Sequence, residues 1–109
     1  MTQTLDLSNN KLSDLPDSFA QLSNLSQLDI DDNAFAILPS VISRLKGLTV
    51  FNAQSNNIVD VTSLLDCTNL EIIDLRRNKI ARLPIDLPLR LPKLRICKHK
   101  LIDDEFSQH

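Results

Sequence analysis

Residues 70–84 read LEIIDLRRNKIARLP, and this stretch decides the fold. Ile73 and Leu75 are apolar with Asp74 between them, an alternation of period two that makes a short strand with one buried face. Asn78 follows three residues after Leu75, Ile80 two residues later, and Leu83-Pro84 closes the segment. Variants of this text occur along the chain: TLDLSNNKLSDLP at 4–16, LSQLDIDDNAFAILP at 25–39 and LTVFNAQSNNIVDV at 48–61. With starts at Thr2, Leu25, Leu48, Leu70 and Leu94, the copies lie 23, 23, 22 and 24 residues apart. The last begins as LRICKHK and then loses the pattern.

Each copy assigns its residues to positions. Leu5/Leu7, Leu28/Ile30, Phe51/Ala53, Ile73/Leu75 and Cys97 are the inward strand residues. Asn10, Asn33, Asn56 and Asn78 stand at the bend where the backbone leaves the strand. There the main-chain polar groups would be stranded inside the turn, and an amide side chain carries both donors and an acceptor to satisfy them. An inward apolar residue follows (Leu12, Phe35, Ile58, Ile80), then Leu15, Leu38, Val61 or Leu83. Pro16, Pro39 and Pro84 steer three of the copies into a return on the far side. Phe19/Leu22, Val41/Ile42/Leu45, Leu64/Leu65 and Leu87/Leu91 pack that return against the strands. One copy alone cannot bury its apolar face, so stacking of copies is what folds the chain.

Over nearly the whole chain these segments resemble the leucine-rich-repeat family. LDLSNNKLSDLP and IDLRRNKIARLP are similar to the Leu-Pro repeats of Ras-pathway scaffold proteins. SNNIVDVTSLLDCTNLEIIDL, which lacks the proline, is closer to the repeats of phosphatase regulatory subunits. The resemblance implies an α/β fold: a right-handed solenoid with a concave parallel sheet of about five short strands and a convex side of short helices or irregular returns. Residues 1–109 then form a single domain, with repeats 2–24, 25–47, 48–69 and 70–93 and a polar closing segment at 94–109, where Ile102 or Phe106 covers the last slot.

Composition narrows the function. The 109 residues are 42% hydrophobic, with four Phe and neither Tyr nor Trp, an aliphatic interior that suits many similar slots. Gly47 is the one glycine, which excludes a glycine-rich phosphate loop. His99 and His109 stand in no nucleophile arrangement, and the Asp31-Asp32 and Asp103-Asp104 pairs lie on loops without a controlled spacing. No enzyme and no cofactor is expected. Cys97 and His99 share a strand face and point inward together, and with Cys67 they reach at most three zinc ligands at no familiar spacing, so no metal site is expected. The basic tail (Arg90, Lys93, Arg95, Lys98, Lys100) lacks aromatic residues for base stacking and adjoins Asp103–Glu105, which argues against nucleic acid or membrane as partner. Neither a membrane-length apolar run nor a signal peptide is visible. Two cysteines make no disulfide framework, so a cytoplasmic setting is expected, a host cytosol included. The sequon at Asn24-Leu25-Ser26 is read as coincidence, because Leu25 belongs in the core beside it.

The resemblance implies that the outward strand residues form a surface for a protein partner. One column is Asp6, Asp29, Asn52, Asp74 and Lys98, in which neighbouring aspartates repel and a basic partner would relieve them. The next is Thr4, Gln27, Val50, Ile72 and Ile96, where three outward apolar residues make a stripe that soluble surfaces tend to avoid unless it is used. Beyond the strands, Asp31, Gln54 and Arg76 continue a grade from acidic to basic: residues 1–47 hold six aspartates against three basic side chains, residues 70–109 nine basic against six acidic. Such a field orients a bipolar partner. Five strands at ~4.8 Å, each showing about four residues, give a patch of roughly 300 Å², against about 800 Å² per partner for a stable interface. Two alternatives remain. The first copy leaves Leu5, Leu7 and Leu12 open and a strand edge unpaired, so the chain self-assembles there or Met1–Thr4 caps it; or the chain is the recognition part of a larger signalling protein.

Overall fold

A computed structural model describes residues 3–99 and the backbone of residues 102–104. Six strands form one sheet in chain order: β1 (Gln3–Asp6), β2 (Leu25–Asp29), β3 (Val50–Asn52), β4 (Ile72–Leu75), β5 (Ile96–His99) and β6 (Ile102–Asp104). The first five are parallel, each joined to the next by a return across the other side of the molecule. Three returns are single 3-10 turns, Asp17–Gln21, Ser40–Arg44 and Thr62–Asp66, and the fourth is a short helix, α1 (Leu87–Arg90). Pro16 and Pro39 sit immediately before the first two turns in extended backbone, as their fixed φ and missing N–H demand.

The register agrees with the sequence alignment. Leu5, Leu28, Phe51, Ile73 and Cys97 are partners across successive strands, and all but Leu5 are fully buried. The interior is one cluster from Leu15 to Cys97, with Leu5, Leu7, Leu12, Phe19 and Leu22 of the first copy only half-buried against it. No neighbour stacks on their open side among the described residues.

The bends are held as the alignment predicts. The Asn56 amide donates to the Ile30, Ala53 and Gln54 carbonyls (3.0, 3.3 and 3.2 Å), and its Oδ1 accepts the Phe35 N–H of the preceding copy at 3.0 Å. Asn33 and Asn78 do the same for Leu12 and Ile58. Asn10 is exposed, and its amide bonds reach only Leu7 and Ser8 of its own copy.

Three features depart from the sequence reading. The parallel sheet is extended by β6, which runs antiparallel to β5 with Cys97 opposite Asp104 and His99 opposite Ile102. A fifth asparagine is missing at this turn, and a reversed strand closes the stack in place of another coil. The expected covering role of Ile102 or Phe106 falls on side chains outside the described residues, as do Met1, Thr2 and Lys100. Asn24 is exposed although Leu25 beside it is buried, so burial is no reason to discount that sequon. Asn9, Asp32, Ser55 and Arg77, each directly before a bend asparagine, have φ between 57° and 61°. This left-handed backbone turns the chain out of the strand, and it is occupied four times without a glycine.

Candidate functional site

The outward face of the sheet carries both predicted columns in register. Thr4, Gln27, Val50, Ile72 and Ile96 are successive partners, and so are Asp6, Asp29, Asn52, Asp74 and Lys98. Val50, Ile72 and Ile96 therefore lie side by side on neighbouring strands, each half-buried. The alternation that sends Phe51, Ile73 and Cys97 inward leaves these three outward. No cavity is enclosed among the described residues, so the site is an open surface.

The aspartates of the second column have a local task. The Ser8 N–H and hydroxyl donate to Asp6 Oδ1 (2.9 and 2.6 Å), the Asp31 N–H to Asp29 Oδ1 (2.9 Å) and the Arg76 N–H to Asp74 Oδ1 (3.2 Å). Each carboxylate caps the N–H two residues on, where the strand stops, a turn that aspartate makes readily. The hydroxyl and amide of Ser8 hold the Asp6 carboxyl below the usual range. Asp74 goes further. Arg76 grips it through Nε to Oδ1 (3.0 Å) and Nη2 to Oδ2 (2.8 Å), and Asp74 is 5% exposed. Arg76 and Asp74 therefore stand on the face as one ion-paired unit, whereas Asp6 is exposed and Asp29 half-buried.

Asp31 is the electrostatically unusual group. Its Oδ1 accepts the Gln54 N–H of the next copy at 2.7 Å. Burial pushes its carboxyl up to about 6, the charges of Asp29, Asp74 and Asp32 add to the lift, and the Gln54 N–H opposes it. Near neutral pH this half-buried carboxylate is charged at a cost that an incoming cation would offset. Toward the other end the face turns basic with Arg76, Arg77 and Lys98.

Cys67 and Cys97 are both buried, and no disulfide joins them. The Cys67 thiol donates to the Ile42 carbonyl (3.2 Å), and burial pushes it up to about 11. His99, the partner of Leu75 in the strand register, is buried with Nε2 3.3 Å from the Ile80 carbonyl, a structural contact.

Sequence reasoning missed the four left-handed residues and four exposed apolar ones: Ile37, Val59, Ile85 and Leu89. The former have a signal, their place directly before each asparagine. The latter have none: Ile85 and Leu89, for instance, alternate with the buried Leu87 and Leu91 in and beside a four-residue helix too short to show a period.

With the geometry in hand, the likenesses are specific. The sequence profile described as Leucine rich repeat matches residues 2–35. Toll-like receptor 2 type-2 of Gallus gallus is 35% identical over 102 residues, covering 91% of this chain and 13% of the receptor. The MAP kinase phosphatase with leucine-rich repeats protein 1 of Dictyostelium discoideum is 39% identical over 77 residues, covering 69% of this chain and 9% of the phosphatase. The chain thus spans at most 13% of the length of these relatives. Among solved structures, a leucine-rich-repeat protein of Leptospira interrogans superposes with a TM-score of 0.73 at 30% identity, over 89% of this chain and 24% of that one.

Proposed function

The chain belongs to the leucine-rich-repeat family, and from that premise we propose that its concave strand face holds a protein partner without catalysing a reaction. Domains of this family generally mediate protein–protein interaction, and its members are mostly interaction modules rather than enzymes. The observation that carries the reading is the apolar stripe Val50–Ile72–Ile96 in register beside a charge grade from Asp29 and Asp31 to Arg76 and Lys98. The stripe supplies desolvation and the grade supplies orientation. The contact set is Asp6, Asp29, Asp31, Val50, Asn52, Gln54, Ile72, Asp74, Arg76, Ile96 and Lys98. A partner with a basic segment over Asp29–Asp31 and an acidic one over Arg76–Lys98 matches it.

The chain spans a small part of its relatives' length, and an alternative reading makes the same face the recognition element of a larger signalling protein. In either reading it works in the cytoplasm, which Cys67 and Cys97, buried and not disulfide-linked, support. The test is affinity capture followed by mass spectrometry, comparing wild type with Val50→Lys/Ile72→Lys and with Asp29→Lys. Asp29 suits charge reversal better than Asp74, whose replacement would also release Arg76. Proteins that remain bound equally to all three would refute the assignment of this face.

A further inference from the structure

The loops that follow the bend asparagines form a second ribbon beside the strand face. The Asn57 N–H donates to the Phe35 carbonyl, the Val59 N–H to Ala36 and the Lys79 N–H to Ile58 (2.8, 2.8 and 2.9 Å), and Ile37 pairs with Asp60 in an isolated parallel bridge. Successive copies are therefore held at strand spacing here too. Phe35, Leu38, Ile58 and Ile80 are buried in the core. The residues between them meet solvent, and their chemistry changes from copy to copy. The first copy shows Lys11, Ser13 and Asp14, the second and third show Ala36, Ile37 and Val59, and the fourth shows Lys79, Ala81 and Arg82.

Two of these side chains are large, apolar and open: Ile37 is 63% and Val59 55% exposed. They are neighbours, since Val59 is hydrogen-bonded to the residue beside Ile37. Next to them stand two cations. Arg76, Arg90 and Arg95 are ion-paired within the fold, whereas Lys79 and Arg82 have no ion-pair partner among the described residues. The acid between the two groups is engaged, for Asp60 Oδ1 accepts the Thr62 N–H and hydroxyl at 2.9 and 2.6 Å.

We propose that this ribbon is a docking strip for an acidic peptide segment of the partner, its aliphatic side chains over Ala36, Ile37 and Val59 and its carboxylates over Lys79 and Arg82. The proposal rests on the concave-face reading, which puts an acidic part of the partner over Arg76–Lys98; the strip continues that surface past Asn78 and gives the acidic part its direction. Unpaired cations beside an apolar step favour a ligand that carries both carboxylate and hydrocarbon. Three copies at ~4.8 Å, each showing about four residues, add roughly 200 Å² to the roughly 300 Å² of the strands, nearer the interface a stable complex needs.

The probe is a short capped peptide of Leu and Glu, titrated into the isotope-labelled full chain and followed by amide NMR, with a counterpart carrying Lys for Glu. The acidic peptide should shift the Ile37, Val59, Lys79 and Arg82 amides, and the basic one should leave them in place. Lys79→Glu/Arg82→Glu should weaken binding about tenfold or more, and Ile37→Ser/Val59→Ser should weaken it with the rest of the spectrum unchanged, because these side chains are exposed. Val50→Lys/Ile72→Lys should keep the shifts on the strip, so a failure of the strand face in affinity capture with these shifts intact refutes the concave-face reading alone. Shifts confined to the strand face would overturn the strip and leave that reading standing. An equal response to the Lys peptide or to oligothymidylate would overturn it as well. So would shifts that emerge only in Asp103→Asn/Asp104→Asn/Glu105→Gln, which would give the place to the chain's own acidic residues.

Discussion

Replacing Asp31 with Asn should make the protein more stable at neutral pH and leave it unchanged in acid. The side chain accepts the Gln54 N–H at 2.7 Å, and Asn keeps an oxygen in that place. What it removes is a half-buried charge facing Asp29, Asp74 and Asp32. Because burial lifts the Asp31 carboxyl from 3.8 to about 6, the folded state holds that proton more tightly than the unfolded chain does. The contribution of Asp31 is thus most favourable below the unfolded value and is lost as pH rises through about 6. Taken in full, such a lift corresponds to about 3 kcal/mol; solvent screening of a half-exposed carboxylate reduces this to about 1 kcal/mol. That is about 4 °C in Tm for a domain of this size. Urea and thermal melts of wild type and Asp31→Asn at pH 7.5 and pH 4 measure it, and the difference of differences cancels the titration of the other carboxylates. An equal gain at both pH values, or a loss at pH 7.5, would refute the electrostatic account.

Other substitutions probe the frame. Asn56→Ala should cost about 3 kcal/mol in urea denaturation, since it strips partners from buried backbone groups of two copies, whereas Asn10→Ala, exposed and bonded only within its own copy, should cost less than about 1 kcal/mol. Ser55→Gly should stabilise by up to about 1 kcal/mol by relieving its φ of 58°, and Ser55→Val should destabilise by about 1–2 kcal/mol in the same assay. Gly47→Ala would place a Cβ 3.0 Å from the Ser23 carbonyl oxygen and 3.3 Å from that of Leu25, and thermal melts should show a loss of about 1–2 kcal/mol.

The repeat was legible because its physics is local and recurs. Leu28, Phe51 and Ile73 each alternate with a polar neighbour, and aligning four copies removes the ambiguity that one short strand carries. The bend asparagines were legible for the same reason. The site was legible as two columns, since register follows once the copies are aligned, and Val50, Ile72 and Ile96 fall where the alternation puts them. Pairing within the columns was not. Asp74 and Arg76 are two apart, and no pattern says that a long side chain will fold back over its neighbour rather than extend into solvent. The lift at Asp31 comes first from burial and then from three aspartates on β2, β4 and the adjoining loop, which only the folded chain brings together. β6 escaped because reversal of the chain after His99 leaves no periodic trace, and one strand of reversed sense has no second copy to align with.

In Asn33, Asn56 and Asn78 the amide reaches backward to the coil made before it. A growing polypeptide therefore cannot satisfy every backbone group of one winding until the following winding has been synthesised. Consolidation runs from first winding to last, and a break at any of these asparagines loosens the winding upstream of it as well as its own.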